Sequence, residues 1–487
     1  MAVLMNWAPL LPLSLVMVML LFFKVPAREA VVIGILVTLG LGFLNSGIQA
    51  LPLLEARLPD IVLITAQVGM VLWFGLFLFR LLEAQGMLTI MADGIGKLFL
   101  DREWLALVMV LGIGPAIESV AGFGTSVIVV APILVRLGYS LDQAAMLGLL
   151  SQNMVPWGAM AAGTQLGAAL GHISAQQLSA RSADLLGPLL IGYAIAAMAV
   201  MKSPGIWKRL GWRSALLALG AAGVLAILSH VLSPALVGLL SGLAVTGLGC
   251  LLQPVRSHSH DLKIGSWGVV IVPYSFLTVL LMSTTLISSI AHWTATHGVI
   301  HWGRSSLSVL QNPGLYLGMA AVMAWWLRPL PWSRLGRILT DTCRPWQRVI
   351  LVTLLYVALS QAMVSLHLTS RLSQELGGAG SWYVAAGLGL AAIGGYLTGS
   401  NTASNAMFMP LQLFAAHLTH ISPLFVASLQ NSAGSTATWA SQSRTILASV
   451  AVGKPRTNHH AFTRQVMGWM AWILAGMLVI AASWFVA

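Results

Sequence analysis

The chain has 487 residues, of which 58% are hydrophobic and only 8% are charged, whereas an average soluble domain has roughly 25% charged residues. This composition excludes an ordinary water-soluble fold. The formal net charge of +12 does not indicate nucleic-acid binding, because the basic residues lie between apolar stretches instead of forming a clustered basic surface. Cys250 and Cys343 have neither a metal-ligand spacing nor a disulfide pattern, so no metal or cofactor is expected.

Apolar stretches long enough to cross a membrane recur from Leu10 to the end of the chain. A hydrocarbon core of about 30 Å requires about 20 apolar residues in a helix, and these stretches are too uniform for the alternating pattern of barrel strands. The sequence therefore predicts an all-α polytopic membrane protein with about 12 to 14 transmembrane segments. The stretch from Leu10 to Phe23 has no basic region before it and no cleavage site after it, which favours a retained first helix over a removable signal.

Positive charge is concentrated in three connections between apolar stretches. By the positive-inside rule these connections face the cytoplasm, so we expect a multi-pass protein of the bacterial inner (plasma) membrane. A linker at residues 253–266 divides the chain into a first transmembrane half, residues 1–252, and a second half, residues 267–487. The basic residues of the three connections are Lys202, Lys208, Arg209 and Arg213; Arg328, Arg334, Arg337, Arg344 and Arg348; and Lys454, Arg456 and Arg464.

Glu118 is the only charged residue between Glu103 and Arg136, and it lies in a glycine-interrupted segment, residues 112–132. Polar, broken backbone at membrane depth persists only where it is buried in protein or lines a wet cavity. A carboxylate at that depth is costly as an anion, so it is suited to accept a proton or to bind a cation. We predict that Glu118 is the proton-coupling residue; the alternative is a structural carboxyl group hydrogen-bonded into a helix break.

Arg444 is the only charged residue between Glu375 and Lys454, and it ends a second segment rich in Gly, Ser, Thr and Asn, residues 394–444. A guanidinium group is planar, permanently charged and able to bind a carboxylate through two parallel hydrogen bonds. We predict that Arg444 anchors an anionic substrate. The alternative is an arginine at a helix end that extends its side chain to the membrane surface, since Lys454 follows closely.

The two segments resemble one another. Gly122-Phe123-Gly124-Thr125 is followed by Pro132 and then Gln152-Asn153, and Gly399-Ser400-Asn401-Thr402 is followed by Pro410 and then Gln430-Asn431. A broken segment in each half predicts two inverted repeats, with broken helices or re-entrant hairpins, and a binding site where the repeats meet. The alternative is a chance likeness between two glycine-rich segments.

Hydroxyl and amide side chains surround both charges, and helix N-termini after Gly124 and Gly399 would add backbone donors for an anion. Many Ser and Thr residues in membrane helices only hold helices together, but as a cluster these side chains indicate a binding site. Besides Arg444, the predicted substrate-binding residues are Thr125, Ser126, Asn153, Asn401, Thr402, Asn405, Gln430, Asn431, Ser441 and Gln442.

The sequence resembles the L-lactate permease family, whose members transport lactate and glycolate with protons. Residues 118–125, Glu-Ser-Val-Ala-Gly-Phe-Gly-Thr, are similar to the family's Glu-Gly-Ala-Ala-Gly-Phe-Gly segment, and residues 397–406 are similar to its Leu-Thr-Gly-Ser-Asp-Thr-Ser-Ser-Asn segment. The resemblance implies inverted repeats and alternating access. Asn401 stands where the family has aspartate, and residues 437–443 lack the lysine of the corresponding family segment, so we expect Arg444 to supply that positive charge.

The resemblance implies a secondary active transporter that imports a small monocarboxylate such as lactate or glycolate, coupled to protons, with sodium as the alternative ion. Its partners would be the carboxylate, the coupling proton and the lipid bilayer, without nucleic acid; an oligomer is left open. Transport of another organic or inorganic anion, or a membrane channel, is the alternative function. A channel favours rings of repeated polar residues, whereas here one acidic and one basic segment each occur once. The sequence contains no nucleophile–base triad or phosphate-binding loop, so an enzyme is not expected.

Overall fold

The structure, a computed structural model, describes residues 8–87, 90, 94, 99, 101–253, 264–303, 305–371, 377–453 and 459–486. Within these residues the fold is helical, apart from one antiparallel hairpin of two short strands, β1 (Val299–Trp302) and β2 (Ser305–Ser308). The predicted all-α polytopic fold is confirmed. By length and composition, seven described helices can cross a membrane, or nine if each of two bent helix pairs is one span.

Four shorter apolar helices explain why the sequence contains more apolar stretches than complete spans. These helices have 10–17 residues each, fewer than the roughly 20 that a hydrocarbon core requires. Two of them, Thr125–Arg136 and Leu141–Leu150, lie within or directly after the glycine-interrupted segment of residues 112–132. These two helices are therefore parts of a broken segment rather than spans of their own.

The N-terminal helices lead into the first polar segment, which in the structure extends beyond residues 112–132 to residues 102–171 and contains two breaks besides the turn at residues 137–140. They are α1 (Leu11–Leu21), α2 (Ala27–Ser46), α3 (Ala50–Glu55) and α4 (Leu58–Ala84). The first polar segment then comprises α5 (Arg102–Val108), a π-helical stretch (Met109–Ile113), α6 (Gly114–Ala121), α7 (Thr125–Arg136), α8 (Leu141–Leu150), a short 3₁₀ turn (Val155–Trp157) and α9 (Gly158–Gly171). We call residues 122–124 break 1 and residues 151–157 break 2.

The next group of helices lies between the two polar segments along the chain. Its helices are α10 (Ala175–Leu186), α11 (Leu189–Met201), α12 (Ile206–Val231), α13 (Pro234–Leu252), α14 (Ile264–Leu286), α15 (Ser288–Thr296), α16 (Pro313–Leu327) and α17 (Trp332–Ser365). Of the linker predicted at residues 253–266, residues 254–263 lie outside the described residues, and α14 already begins at Ile264. The division into two halves around this linker stays a prediction.

Many basic residues expected in connections lie instead in the first halves of two long helices. Lys208, Arg209 and Arg213 are in α12, and Arg334 to Arg348 are in α17. Because α17 has 34 residues, it is about 50 Å long and exceeds a hydrocarbon core of about 30 Å. Its basic first half can therefore extend beyond the membrane. In the third predicted connection, Lys454 and Arg456 lie outside the described residues, and Arg464 lies in the last helix, His459–Val486.

The second polar segment, which in the structure extends beyond residues 394–444 to residues 383–451, also contains two breaks besides the turn at residues 419–422. It comprises α18 (Tyr383–Thr398), α19 (Asn401–Leu418), α20 (Pro423–Thr438) and α21 (Gln442–Ala451), and α22 (His459–Val486) follows. Residues 399–400 form break 3 and residues 439–441 form break 4. A serine begins the new helix at each break, because Ser400 accepts a hydrogen bond from the Ala403 N–H and Ser441 accepts one from the Arg444 N–H. Such caps satisfy amide groups that have no partner within the helix.

The two segments pack across one another. α9, the last helix of the first segment, packs against α19, while α21, the last helix of the second segment, packs against α7 and α8. A buried tryptophan connects a break of each segment to a neighbouring helix: Trp157 in break 2 donates to the Ser179 hydroxyl of α10, and Trp439 in break 4 donates to the Tyr193 hydroxyl of α11. The exchange of terminal helices places breaks 1, 2 and 3 close to the start of α21.

The resemblance between the two segments holds only in part. Each segment has a glycine break followed by a helix with an internal proline, Pro132 in α7 and Pro410 in α19. The two Gln-Asn pairs, in contrast, occupy different structural positions. Gln152-Asn153 lies in break 2, whereas Gln430-Asn431 lies within α20, because α19 and α20 are each six residues longer than α7 and α8.

Candidate functional site

Residues from breaks 1, 2 and 3 and from α21, the helix that follows break 4, line a cavity of about 470 Å³. Pockets for small molecules typically have volumes of about 300–1,000 Å³ and a few convergent polar groups. The α17 side of the cavity includes Arg348, which is exposed, so the cavity reaches the surface there. The lining polar and charged residues are Glu118, Arg348, Thr353, Tyr356, Thr398, Ser400, Asn401, Thr402, Ser443 and Arg444.

Glu118 lies on α6 and stabilises the start of α7 across break 1. Its carboxylate accepts hydrogen bonds from the Gly124 N–H at 2.8 Å and from the Ser126 N–H and hydroxyl, each at 3.1 Å. The residue is only 2% exposed. Glu118 therefore combines the structural role that was the alternative in the sequence with a position in the cavity lining.

Arg444 lies in the first turn of α21 and faces Glu118. Its Nη1 is 3.9 Å from the Glu118 Oε1, close enough for an ion pair but too far for a hydrogen bond. The residue is 8% exposed, and Nη1 has no hydrogen-bond partner among the described residues. A buried donor without a partner is energetically costly, so this guanidinium group can bind an anion that enters the cavity. Its burial disfavours the alternative of an arginine at the membrane surface.

Two glycines allow the breaks to approach α21 closely. A Cβ at Gly124, whose φ is 81°, would collide with the Arg444 guanidinium and the Leu447 side chain. A Cβ at Gly399, whose φ is 62°, would collide with Ser441 and Ser443. Only glycine combines this left-handed backbone with such a close approach.

Asn431, on α20, is the centre of a buried amide cluster beside the cavity. Its Oδ1 accepts hydrogen bonds from the Nδ2 groups of Asn401 at 2.8 Å and Asn405 at 2.9 Å. Its Nδ2 donates to the hydroxyls of Thr164 at 3.0 Å and Ser182 at 2.9 Å. The cluster joins α19 and α20 to α9 and α10, and Asn401 is the member that lines the cavity.

Gln430 belongs to a second network that faces away from the cavity lining. Its Nε2 donates to the Ser404 hydroxyl at 3.0 Å, and its Oε1 accepts from the Gln412 Nε2 at 3.1 Å. Gln412 in turn accepts from the Tyr383 hydroxyl at 2.6 Å. These contacts hold α18, α19 and α20 together, which is a structural role.

The other predicted binding residues are divided between the cavity and its supports. Thr402 lines the cavity. Thr125 donates to the Gly122 carbonyl within break 1, and Asn153 donates to the Val110 carbonyl at 2.7 Å. Ser441 is a helix cap, and Gln442 is exposed. Ser126 contacts the site through Glu118.

Sequence reasoning missed the wall contributed by α17. Tyr356 is fully buried, lines the cavity, and its hydroxyl has no partner among the described residues. Thr353 lies one turn earlier on the same wall. Because α17 is continuous, no glycine break or isolated charge at these positions marks them in the sequence.

The sequence profile of the family described as L-lactate permease matches residues 7–261 and 267–486. The chain belongs to the L-lactate permease family. An L-lactate permease of Streptococcus iniae is 22% identical over 439 residues, which cover 86% of this chain and 92% of that relative. An L-lactate permease of Bacillus subtilis (strain 168) is 21% identical over 453 residues, 79% of each chain. The resemblance stated from the two polar segments is thus confirmed.

Two solved structures align with most of the chain. MtrF of Neisseria gonorrhoeae, from a class of antimetabolite efflux pumps, aligns with a TM-score of 0.45 and 14% identity over 91% of this chain and 85% of that one. The YdaH transporter of Alcanivorax borkumensis aligns with a TM-score of 0.46 and 14% identity over 90% of this chain and 88% of that one.

Membership of the L-lactate permease family, together with the long apolar helices, makes the chain a multi-pass membrane protein. Asn401, the departure from the family's Leu-Thr-Gly-Ser-Asp segment stated above, lines the cavity at the start of α19. Arg444, which follows the segment without the family lysine, lines the cavity in the first turn of α21.

Proposed function

We propose that this chain is a secondary active transporter of the bacterial inner membrane that imports lactate, glycolate or a closely related monocarboxylate together with protons. The observation that carries the proposal is the buried Arg444 guanidinium, which lines the cavity and has an Nη1 without a hydrogen-bond partner among the described residues. Guanidinium groups bind carboxylates through paired, charge-assisted hydrogen bonds. The family match and the relatives named L-lactate permease support lactate as the anion.

Charge balance assigns the coupling proton to Glu118. In the empty site, the charges of Glu118 and Arg444 compensate each other at 3.9 Å. A substrate carboxylate on Arg444 would leave Glu118 as a second buried anion, and two neighbouring carboxylates disfavour double ionisation. Protonation of Glu118 restores neutrality, so the anion and the proton bind together. The Ser126 hydroxyl, now a donor, can rotate to accept a hydrogen bond from the protonated acid.

The cavity has an exposed side at α17. The exposed Arg348 lies at the cavity and in the helix whose basic first half is predicted to be cytoplasmic. Beyond the cavity, Gln67 of α4 donates to Gln165 of α9 at 3.4 Å, and Gln165 donates to the Met160 carbonyl at 2.9 Å. Both glutamines also line a separate polar pocket. We assign this arrangement to a state that is open to the cytoplasm and closed at Gln67 and Gln165.

Met160 connects this closure to the cavity. Ala159, Met160 and Ala161 are three consecutive residues with left-handed φ values of 47°, 51° and 61°, a conformation that is costly for residues with a side chain and concentrates at functional sites. Ala159 lines the cavity. A change in this turn would move Gln165, which provides a route from substrate binding to opening of the opposite side.

The test is transport by purified protein in liposomes. With the outside acid, labelled lactate should accumulate above its external concentration, and collapse of the pH gradient should abolish accumulation. A sodium gradient at equal pH should not replace it. Retained accumulation after collapse of the pH gradient would refute proton coupling, and no carboxylate-dependent uptake under either gradient would refute the transport function itself.

A further inference from the structure

Asn401 presents an unpaired acceptor at the cavity. It is the first residue of α19, is 5% exposed and lines the cavity, and its Oδ1 has no hydrogen-bond partner among the described residues. Its other amide atom, Nδ2, donates to Asn431 at 2.8 Å. Which of the two atoms is free decides what kind of ligand Asn401 can bind, because an amide oxygen only accepts and an amide nitrogen only donates.

A chain of hydrogen bonds from the backbone fixes this choice. The Gly163 carbonyl can only accept, so the atom of Asn405 that lies 3.0 Å away must be its Nδ2. The same Nδ2 lies 2.9 Å from Asn431, which must therefore present its Oδ1. Asn401 contacts this Oδ1, so it must present its Nδ2 there. The free atom of Asn401 is consequently an oxygen.

A second backbone carbonyl fixes the same orientation independently. The Thr164 hydroxyl donates to the Pro156 carbonyl at 2.6 Å, a shorter contact than the 3.3 Å to the Asn431 Oδ1. With its proton used in this way, the Thr164 oxygen accepts from the Asn431 Nδ2 at 3.0 Å. The Ser182 hydroxyl accepts from the same Nδ2 at 2.9 Å. Two carbonyls from different parts of the first segment thus impose one orientation on the amide cluster.

We infer that Asn401 is the residue that selects 2-hydroxy acids, by accepting a hydrogen bond from the substrate C2 hydroxyl while Arg444 holds the carboxylate. The inference rests on the proposed transport function. A 2-oxo acid or an unsubstituted acid has no donor at C2, so its binding would leave the buried Asn401 oxygen unpaired. A site built around a substrate hydroxyl discriminates strongly against analogues that lack it, because its own polar groups are then left unpaired.

Asn153 provides a matched control. It is also a buried asparagine whose Oδ1 has no partner among the described residues, and its Nδ2 donates to the Val110 and Leu150 carbonyls. It is absent from the described lining of the cavity. Asn401→Leu and Asn153→Leu therefore remove the same buried amide, but only the first removes an acceptor from the site.

The experiment measures the affinities of lactate, pyruvate and propionate by ligand-induced thermal stabilisation of the purified proteins. We expect the wild type and Asn153→Leu to bind lactate at least about tenfold more tightly than the other two acids, and Asn401→Leu to bind all three within about twofold. Asn401→Asp, which keeps an acceptor, should retain the preference for lactate. Equal affinities in the wild type, or an unchanged preference in Asn401→Leu, would overturn the inference while leaving carboxylate transport intact. A wild type that binds none of the three acids would overturn both.

Discussion

Arg444 Nη1 and Glu118 Oε1 lie 3.9 Å apart in a cavity lined by three helix breaks and by α21. The two side chains come from different polar segments, α21 and α6, which are joined by the exchange of terminal helices. Their charges interact without a direct hydrogen bond, and both residues are almost fully buried. Each can therefore exchange its partner when an anion and a proton enter, with little rearrangement of the surrounding helices.

Arg444→Lys should weaken lactate binding, and Arg444→Ala should weaken it further. Lysine keeps the positive charge but loses the planar pair of donors, so we expect an affinity lower by roughly tenfold, and by roughly a hundredfold or more for alanine. Lactate affinity is measured by thermal stabilisation. Arg209→Lys serves as the control, because Arg209 pairs with Glu103 outside the described lining of the cavity. Wild-type affinity in Arg444→Ala would show that the arginine does not bind the substrate.

Glu118→Gln should abolish net accumulation while exchange of labelled for unlabelled lactate persists. Glutamine imitates the protonated acid, so loaded forms can still cross the membrane, but no proton can be released. Because Glu118 accepts bonds from Gly124 and Ser126, a glutamine nitrogen would face one donor. We expect the free energy of unfolding to fall by about 1–3 kcal/mol. Accumulation, exchange and folded yield are measured on one preparation.

The control for Glu118→Gln is Glu103→Gln, at a second buried carboxylate, which pairs with Arg209 outside the described cavity lining. Per amount of folded protein, Glu103→Gln should accumulate lactate and exchange it at rates close to those of the wild type. Intact accumulation in Glu118→Gln would remove Glu118 from the coupling step. Loss of both accumulation and exchange in fully folded Glu118→Gln would make it a residue needed for substrate binding instead.

The sequence was informative where a feature is local. Apolar stretches predict the helical membrane fold, and an isolated charge in each polar segment predicts the two residues that face one another across the cavity. It was uninformative where partners come from distant elements. The separate positions of the two Gln-Asn pairs depend on the lengths of two helices in each segment, and the Tyr356 wall depends on the packing of a continuous helix. Break 2 ends and break 4 begins with a tryptophan that is hydrogen-bonded to α10 or α11 respectively, a contact that no local pattern predicts.

Gly124→Ala should destabilise the protein and weaken lactate binding together. The new Cβ would require a left-handed backbone, φ 81°, and would displace the Arg444 guanidinium. We expect a loss of at least about 1 kcal/mol in stability, measured by thermal unfolding in detergent. Gly223→Ala is the control, because a Cβ there meets no atom within 4 Å and alanine favours a helix by up to about 1 kcal/mol. Equal behaviour of the two variants would contradict the close contact at break 1.

Tyr356→Phe should reduce lactate affinity without reducing stability. The Tyr356 hydroxyl has no partner among the described residues, so its removal breaks no hydrogen bond that they make, while a bound carboxylate would lose a donor. We expect a decrease in affinity of roughly tenfold. Tyr316→Phe should show the opposite result, since the Tyr316 hydroxyl donates to the Leu310 carbonyl at 2.6 Å away from the described cavity lining. Its stability should fall by about 1 kcal/mol at unchanged affinity.

Gln67→Leu should increase access to the cavity from the outside, because the Gln67–Gln165 contact closes that side in the state described above. The 3.4 Å distance makes this a weak hydrogen bond, as expected of a contact that breaks in each proposed transport cycle.

Access is measured with Val155→Cys, at a residue of the cavity lining, in a background in which Cys250 and Cys343 are replaced by alanine. An impermeant thiol reagent added to right-side-out vesicles should label this cysteine several times faster in Gln67→Leu. Gln176→Leu is the matched control, because Gln176 donates to the Ser229 carbonyl on a different pair of helices, and it should leave the rate unchanged. Equal labelling rates in Gln67→Leu and the unsubstituted background would show that the closure of the outer side lies elsewhere.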